Sequence, residues 1–169
     1  MSTKASKDEI DRMVESWEPE IPGVDLQIEA ALQRINSIYR RIRRRLDQTL
    51  ADYELSYEEW GLLGNLKRCG PPYSSTPGRL ARDQGSSSGA MTNRLDRLEE
   101  AGLIRRRPDT NDRRSLQVEL TDEGHKVWLD TVHAQAAKEA AIGTALNQRE
   151  LAQLNNLLRK VLSGFEDRG

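Results

Sequence analysis

Between positions 87 and 97 the chain carries Ser87, Ser88, Thr92, Asn93, Arg94 and Arg97, short hydroxyl and amide groups mixed with forked cations. No general base stands among them to activate the hydroxyls as nucleophiles. They donate and accept hydrogen bonds, and they match base-pair edges and phosphate oxygens. Arg113 and Arg114 follow in a polar stretch, where a projecting loop could carry them into a narrow, strongly negative groove. Bond-making chemistry has no comparable signal: there is no phosphate-cradling glycine loop, metal-ligand quartet or nucleophile–base pair, and an enzyme is not expected. His125 and His133 are about two helical turns apart, wide for one metal site even with Asp122 and Asp130 nearby. No metal and no cofactor is expected. Cys69 follows Lys67 and Arg68, cations that lower a thiol pKa, so redox sensing stands beside an inert thiol as an alternative.

The elements that position these groups are mostly helical. Asp8 to Trp17 has a short helical pattern, with Ile10, Met13, Val14 and Trp17 on one side, before Pro19, Pro22 and Gly23 break it. From Asp25, Ile28, Leu32, Ile35, Tyr39, Ile42, Leu46 and Tyr53 recur in steps of four and three, with Thr49 as the polar member of the series. A helix of about 27 residues with so narrow a seam packs against another long helix, from the same chain or a second copy. Arg40, Arg41, Arg43, Arg44 and Arg45 lie mainly off the seam, as a solvated basic face or a phosphate contact.

Ser56 and Glu59 form a capping box ahead of Trp60, Leu62, Leu63 and Leu66. Thr76 before Pro77 starts a short helix containing Leu80 and Ala81. Gly85 and Ser86 to Ser88 then make a turn, and Ser87 or Ser88 caps a helix with Met91, Leu95 and Leu98 inward and Gly102 at its end. Afterwards the period changes. Leu103 and Ile104 begin one strand, Leu116, Val118 and Leu120 alternate in another, and Arg113 and Arg114 sit near the tip of the hairpin. Thr121 caps a helix reaching Ala145, and Asn147 with Glu150 caps a last one striped by Leu151, Leu154, Leu158, Val161, Leu162 and Phe165. Two short helices, a small-residue turn and a hairpin make a winged helix-turn-helix. The fold class is mainly α with a small β-hairpin wing.

The 169 residues include 36% apolar and 31% charged residues and a single cysteine. So lean a core suggests burial shared with a partner chain, and the lone cysteine excludes a disulfide scaffold. A polar start and no long apolar run argue against a signal peptide and a membrane span, which points to the cytoplasm. The net charge of −1 is misleading as a sum. Residues 1–29 hold three cations against eight acids, whereas 30–68 hold eight against five and 69–120 hold nine against seven. All nine of the latter are arginine, the side chain suited to forked phosphate and guanine contacts.

The blocks Leu80-Ala81, Thr92-Asn93-Arg94-Leu95-Asp96-Arg97-Leu98-Glu99, Gly102-Leu103-Ile104-Arg105-Arg106, Asp112-Arg113-Arg114 and Leu120-Thr121-Asp122-Glu123-Gly124 follow one another in an order and spacing that resemble the MarR family of bacterial transcription regulators, over roughly residues 26–166. The resemblance implies a ligand-responsive regulator, more often repressor than activator, that binds a pseudo-palindromic double-stranded DNA operator as a homodimer. Residues 1–24 would form an N-terminal extension helix, 25–54 and 121–169 the dimerisation region, and 55–120 the DNA-binding lobe. It implies major-groove reading by Ser87 to Arg97, with Thr76, Ser86 and Met91 in the same DNA-facing set, and minor-groove contact by Arg113 and Arg114. Asp112 would anchor an arginine of the wing. Ile28, Leu32, Ile35 and Tyr39 would pair with their copies and with Leu154, Leu158, Val161 and Phe165. The turn departs from the family in carrying Gln84 and Ser86 where apolar residues are usual.

The Trp-bearing segment before the long helix is similar to the urate-responsive PecS/HucR-like branch, which implies a ligand site using Trp17, Arg94 and Arg106 near Trp60. Where that branch has an aspartate after the second tryptophan, this chain has Gly61, which removes a polar anchor for a purine. A small aromatic or anionic effector remains the expected ligand. An architectural DNA-binding protein without effector, and a protein-interaction module that has lost DNA binding, are the competing readings. If the wing touches phosphates, Arg113→Ala weakens binding to all duplexes and lowers the salt slope by up to about 1, measured by fluorescence anisotropy; an unchanged slope removes the wing from the contact.

Overall fold

The computed structural model describes residues 7–108 and 116–166. Its elements are α1 (Glu9–Glu15), α2 (Leu26–Ala51), α3 (Tyr57–Arg68), β1 (Ser74–Ser75), α4 (Pro77–Asp83), α5 (Ser88–Glu100), β2 (Ile104–Pro108), β3 (Leu116–Leu120), α6 (Asp122–Ala145) and α7 (Gln148–Glu166). Two compact units divide within α2, the first comprising residues 1–45 and the second 46–169.

In the first unit, Asp8 and Asp11 form a reciprocal cap on α1, each side chain accepting the other's backbone N–H. Arg34 of α2 donates to both carboxylates, at 3.0 Å to Asp8 and 2.6 Å to Asp11. The Arg34 hydrogen bond is the main cause that holds the Asp11 carboxyl below its ordinary range, helped by the Asp8 backbone N–H. A depressed carboxyl pKa stabilises the fold above the unfolded-state value, and that contribution is lost as pH falls through the folded one. Asp25 starts α2 by accepting the N–H of Gln27 at 2.9 Å and of Ile28 at 3.2 Å. Along α2, Ile28, Leu32, Ile35, Ile38 and Tyr39 are exposed.

The second unit is built on a dry cluster. Leu62, Leu63 and Leu66 of α3, Leu80 of α4, Met91, Leu95 and Leu98 of α5, and Leu103, Ile104, Val118 and Leu120 meet there. The helical and strand periods expected for these segments are those that bury these side chains. The caps also form as expected: Ser56 with Glu59, Thr76 ahead of Pro77, Ser87 ahead of α5, and Asn147 with Glu150. The expected two-stranded hairpin becomes a three-stranded antiparallel sheet in the order β1-β3-β2. Ser74 and Ser75 pair with Glu119 and Val118, and two serines carry no alternation that could have announced a strand.

The passage from α5 into the sheet is tight. Gly102, with φ of +72°, allows the N–H groups of Gly102 and Leu103 to bond the carbonyls of Glu99 and Leu98, each at 2.9 Å. The first turn of α6 then closes on the same backbone. Thr121 donates its N–H to Leu103 O at 3.1 Å and its hydroxyl to Gly102 O at 2.7 Å, and its hydroxyl accepts the Gly124 N–H. A Cβ on Gly124 would stand 2.0 Å from Leu103 O, which is why the Leu-Thr-x-x-Gly block ends in glycine. Gly124→Ala therefore forces backbone apart and costs about 2 kcal/mol, a fall in Tm of roughly 4–8 °C in a thermal melt. An unchanged Tm would show that α6 is free to slide.

Candidate nucleic-acid interface

The helix α5 presents two unlike sides. Met91, Leu95 and Leu98 are each no more than 2% exposed, whereas Ser87, Ser88, Thr92 and Asn93 face solvent. The Ser87 hydroxyl caps α5 by accepting the Ala90 N–H at 3.3 Å. Thr92 Oγ1 donates to Ser88 O at 2.9 Å, which commits its proton and leaves its lone pairs outward. Such a surface meets base edges with amide and hydroxyl groups, and the N–H groups of the first turn suit a phosphate.

Of the other positions expected to face DNA, one is buried and three, Arg94 among them, are half-buried. Met91, placed in the DNA-facing set, is a core residue at 1% exposure, because it lies one helical step from Leu95 on the buried side. Thr76 is half-buried and serves as the α4 cap, accepting the Arg79 N–H at 3.3 Å. Ser86 is also half-buried, and its hydroxyl oxygen has no hydrogen-bond partner. Arg97 lies 3.1 Å from the buried carboxylate of Glu59. Asp112, Arg113 and Arg114 fall outside the described residues.

A groove of about 580 Å³ lies between α3 and the turn before α5, lined by Tyr57, Trp60, Gly61, Asn65, Gln84 and Arg94, with Arg68 and Ser86 at its sides. Gln84 ties its walls together: its amide donates to Glu58 O at 2.9 Å and its carbonyl stands 3.5 Å from the Arg94 guanidinium. The polar residue in the turn is thus hydrogen-bonded across to α3. A Cβ at Gly61 would stand 3.1 Å from the Gln84 amide nitrogen, so Gln84 packs against the glycine where a side chain would begin. Trp60 is half-buried and donates its indole N–H to Thr131 Oγ1 at 2.8 Å, which anchors α6 to α3.

Of the three residues in the second unit expected around a ligand, two meet. Trp60 and Arg94 share the groove, but Arg106 does not line it. Arg106 on β2 instead reaches Asp96 at 2.6 Å, with its Nε 3.6 Å from Glu99, an ion-pair distance beyond hydrogen bonding. Its backbone N–H donates to Glu99 at 2.8 Å as well, so Arg106 fastens the wing to α5. Trp17 lies in the first unit, half-buried in the turn after α1. The partners of Gln84, Asp96 and Glu99 escaped the sequence reading because nothing in residue spacing identifies groups distant along the chain.

Among the described residues no group of histidine, cysteine and carboxylate side chains could hold a metal ion. His125 instead lies against the Lys67 ammonium, 3.1 Å from its Nε2, and edge-on to Tyr73. Cys69 is exposed, and its thiol donates to Asn65 O at 3.4 Å. No helix is long and apolar enough to cross a membrane among the described residues.

The family model for the MarR family matches residues 55–116, which hold α3, β1, α4, α5 and β2 and reach the start of β3. The chain is similar to the HTH-type transcriptional regulator PecS of Dickeya dadantii (strain 3937), 33% identical over 153 residues that cover 90% of this chain and 92% of that protein. Wild-type MarR of Escherichia coli, in its apo form, superposes with a TM-score of 0.66 and 26% identity, over 77% of this chain and 94% of that one. A point mutant of S. aureus MepR, bound to an oligodeoxyribonucleotide, has the same fold, with a TM-score of 0.60 and 24% identity over 80% of this chain and 97% of that one.

Arg106→Gln removes the ion pairs that hold β2 to α5 and lowers stability by about 1 kcal/mol, read from the urea midpoint at unchanged m-value. An unaltered midpoint would return Arg106 to the list of groups available to a ligand.

Proposed function

We propose a specific mode of action from one premise: the chain belongs to the MarR family and is a DNA-binding regulator of transcription, not an enzyme. The protein acts as a homodimeric repressor on a pseudo-palindromic operator, with half-sites about 10 bp apart. The observation that carries this reading is the two-sided α5, bare and polar through its first turns and anchored behind by Met91, Leu95 and Leu98. Ser87, Ser88, Thr92 and Asn93 read the major groove, and Arg113 and Arg114 enter the adjacent minor groove. MepR bound to an oligodeoxyribonucleotide lends the fold a precedent for holding DNA.

Residues 25–54 and 121–169 form the dimerisation region, and 55–120 the DNA lobe. Support comes from two uncovered apolar stripes. Ile28, Leu32, Ile35 and Tyr39 are 40–57% exposed on α2, and Leu154, Leu158, Val161 and Phe165 are 37–69% exposed on α7. Apolar stripes of this length stay in water at a cost that burial against a second copy removes.

The effector is a small aromatic or anionic molecule seated in the groove beside Trp60, with its anion on Arg94. Trp60 and Tyr57 offer ring faces, and the unpartnered Ser86 hydroxyl offers a further polar contact. Urate is disfavoured, because Gly61 brings no carboxylate and the nearby Gln84 amide is already bonded to Glu58 O. Ligand binding favours a conformation whose recognition helices no longer match the operator, and DNA affinity falls by that difference.

Thermal melts with benzoate and with urate, followed by anisotropy on duplexes enriched from a random library, test the whole reading. Benzoate is expected to raise the Tm and to release the duplex, and urate to do less of both. DNA binding that no ligand disturbs would favour an architectural, effector-independent protein. Thr92→Ala or Asn93→Ala should change which sequences are enriched, while equal loss on every duplex would count against base reading.

A further inference from the structure

Among the described residues, Glu59 carries the only buried carboxylate, in a residue 2% exposed. Its Oε2 accepts the Ser56 N–H at 2.8 Å and the Ser56 hydroxyl at 2.7 Å. Its Oε1 lies 3.1 Å from Nε of Arg97, whose own side chain is 67% exposed. A charge taken out of water is stable only when paired and hydrogen-bonded, and Ser56 brings no charge. Arg97 supplies it. A guanidinium that swung away to a phosphate would leave Glu59 buried without a cation. Only the Ser56 hydrogen bonds and the N-terminus of α3 would then hold its charge.

Three further points favour Glu59 as the partner of Arg97. Base reading uses the first turns of a recognition helix, and Arg97 is about 15 Å of helix beyond the Ser87 cap. A cavity of about 470 Å³ adjoins the pair, so charge and not tight packing determines where the guanidinium rests. Glu54 and Glu100 line the same cavity and add to the negative field around the cation. At the other end of the helix-turn-helix, Gln84 donates to Glu58 O. Two neighbouring residues in the first turn of α3 therefore hold both the turn before α5 and the last turn of α5.

We propose that Glu59 and Arg97 form a strut that sets the angle of α5 against the start of α3. Arg97 is then a positioning residue for operator recognition and makes no contact with DNA. The strut rests on the DNA-binding reading above. It differs from a phosphate contact in a measurable way, because a contact carries counterion release and a strut does not.

The test uses Glu59→Gln, Arg97→Gln and the double variant in the full-length protein. Duplexes enriched from a random library by the wild type serve as the specific probe, and poly(dI-dC) as the non-specific one. Each single variant is expected to bind the enriched duplex about tenfold more weakly, and the double variant no more weakly than either. The salt slope and the affinity for poly(dI-dC) stay at wild-type values. The proposal is overturned if Arg97→Gln lowers the salt slope by about 1 on both duplexes while Glu59→Gln binds normally, or if the two losses multiply. Gln at 59 keeps an acceptor for Ser56. Should that variant melt too early to assay, Arg97→Gln at its exposed position decides through the slope alone. Failure of the wild type to enrich any duplex would defeat the operator reading itself, and the strut's role with it.

Discussion

The helix α5 is wet on one side and held fast on the other through the burial of Met91, Leu95 and Leu98, and the proposed reading of DNA requires both. Steps of four and three place these residues on one stripe and leave Ser88, Thr92 and Asn93 off it. The rest of the second unit follows from keeping that stripe dry. Leu62, Leu63 and Leu66 cover it from α3, and Ile104, Val118 and Leu120 cover it from the sheet. The chain leaves α5 through Gly102 straight into β2, and α6 begins where Thr121 and Gly124 close over that exit. The polar face of α5 is thus tied to β2 and to α6 within a few residues.

Charge is arranged to the same end. An arginine-rich middle suggests a surface of loose cations, yet carboxylates already hold several of those arginines. Arg106 is held by Asp96 and Glu99, Arg105 and Arg107 by Glu119, and Arg97 by Glu59. These pairs orient the framework, and the field offered to a phosphate is smaller than a count of arginines implies. In the first unit Arg34 likewise serves Asp8 and Asp11, so part of the acidic N-terminal charge is neutralised internally. The net charge therefore describes neither what DNA meets nor what holds the fold.

The elements were legible from residue types and spacing, and the capping residues Ser56, Thr76, Ser87 and Asn147 show why. A cap is satisfied by an N–H two or three residues away, and an apolar stripe by its neighbours on the next turn. Both are local facts that a linear string contains. Met91 separates the two readings within one helix: its spacing put it inward with Leu95 and Leu98, where it lies, and only the family resemblance set it among the DNA-facing residues. The strand Ser74–Ser75 was not legible, because its partner lies beyond two helices and its residues carry no pattern.

Residue order alone was enough for the helices, the wing, the covered stripe of α5 and, through the ordered blocks from Leu80 to Gly124, the family. Which cations and amides are engaged emerged only from the packed chain. Arg94 and Trp60 share a groove while Arg106 pairs with Asp96 and Glu99, and Gln84 bridges to α3. The physical reason is the range of the interactions. Helical and strand periods are set within one or two turns of chain, whereas an ion pair or a groove wall depends on distances between segments that only packing of the whole core establishes.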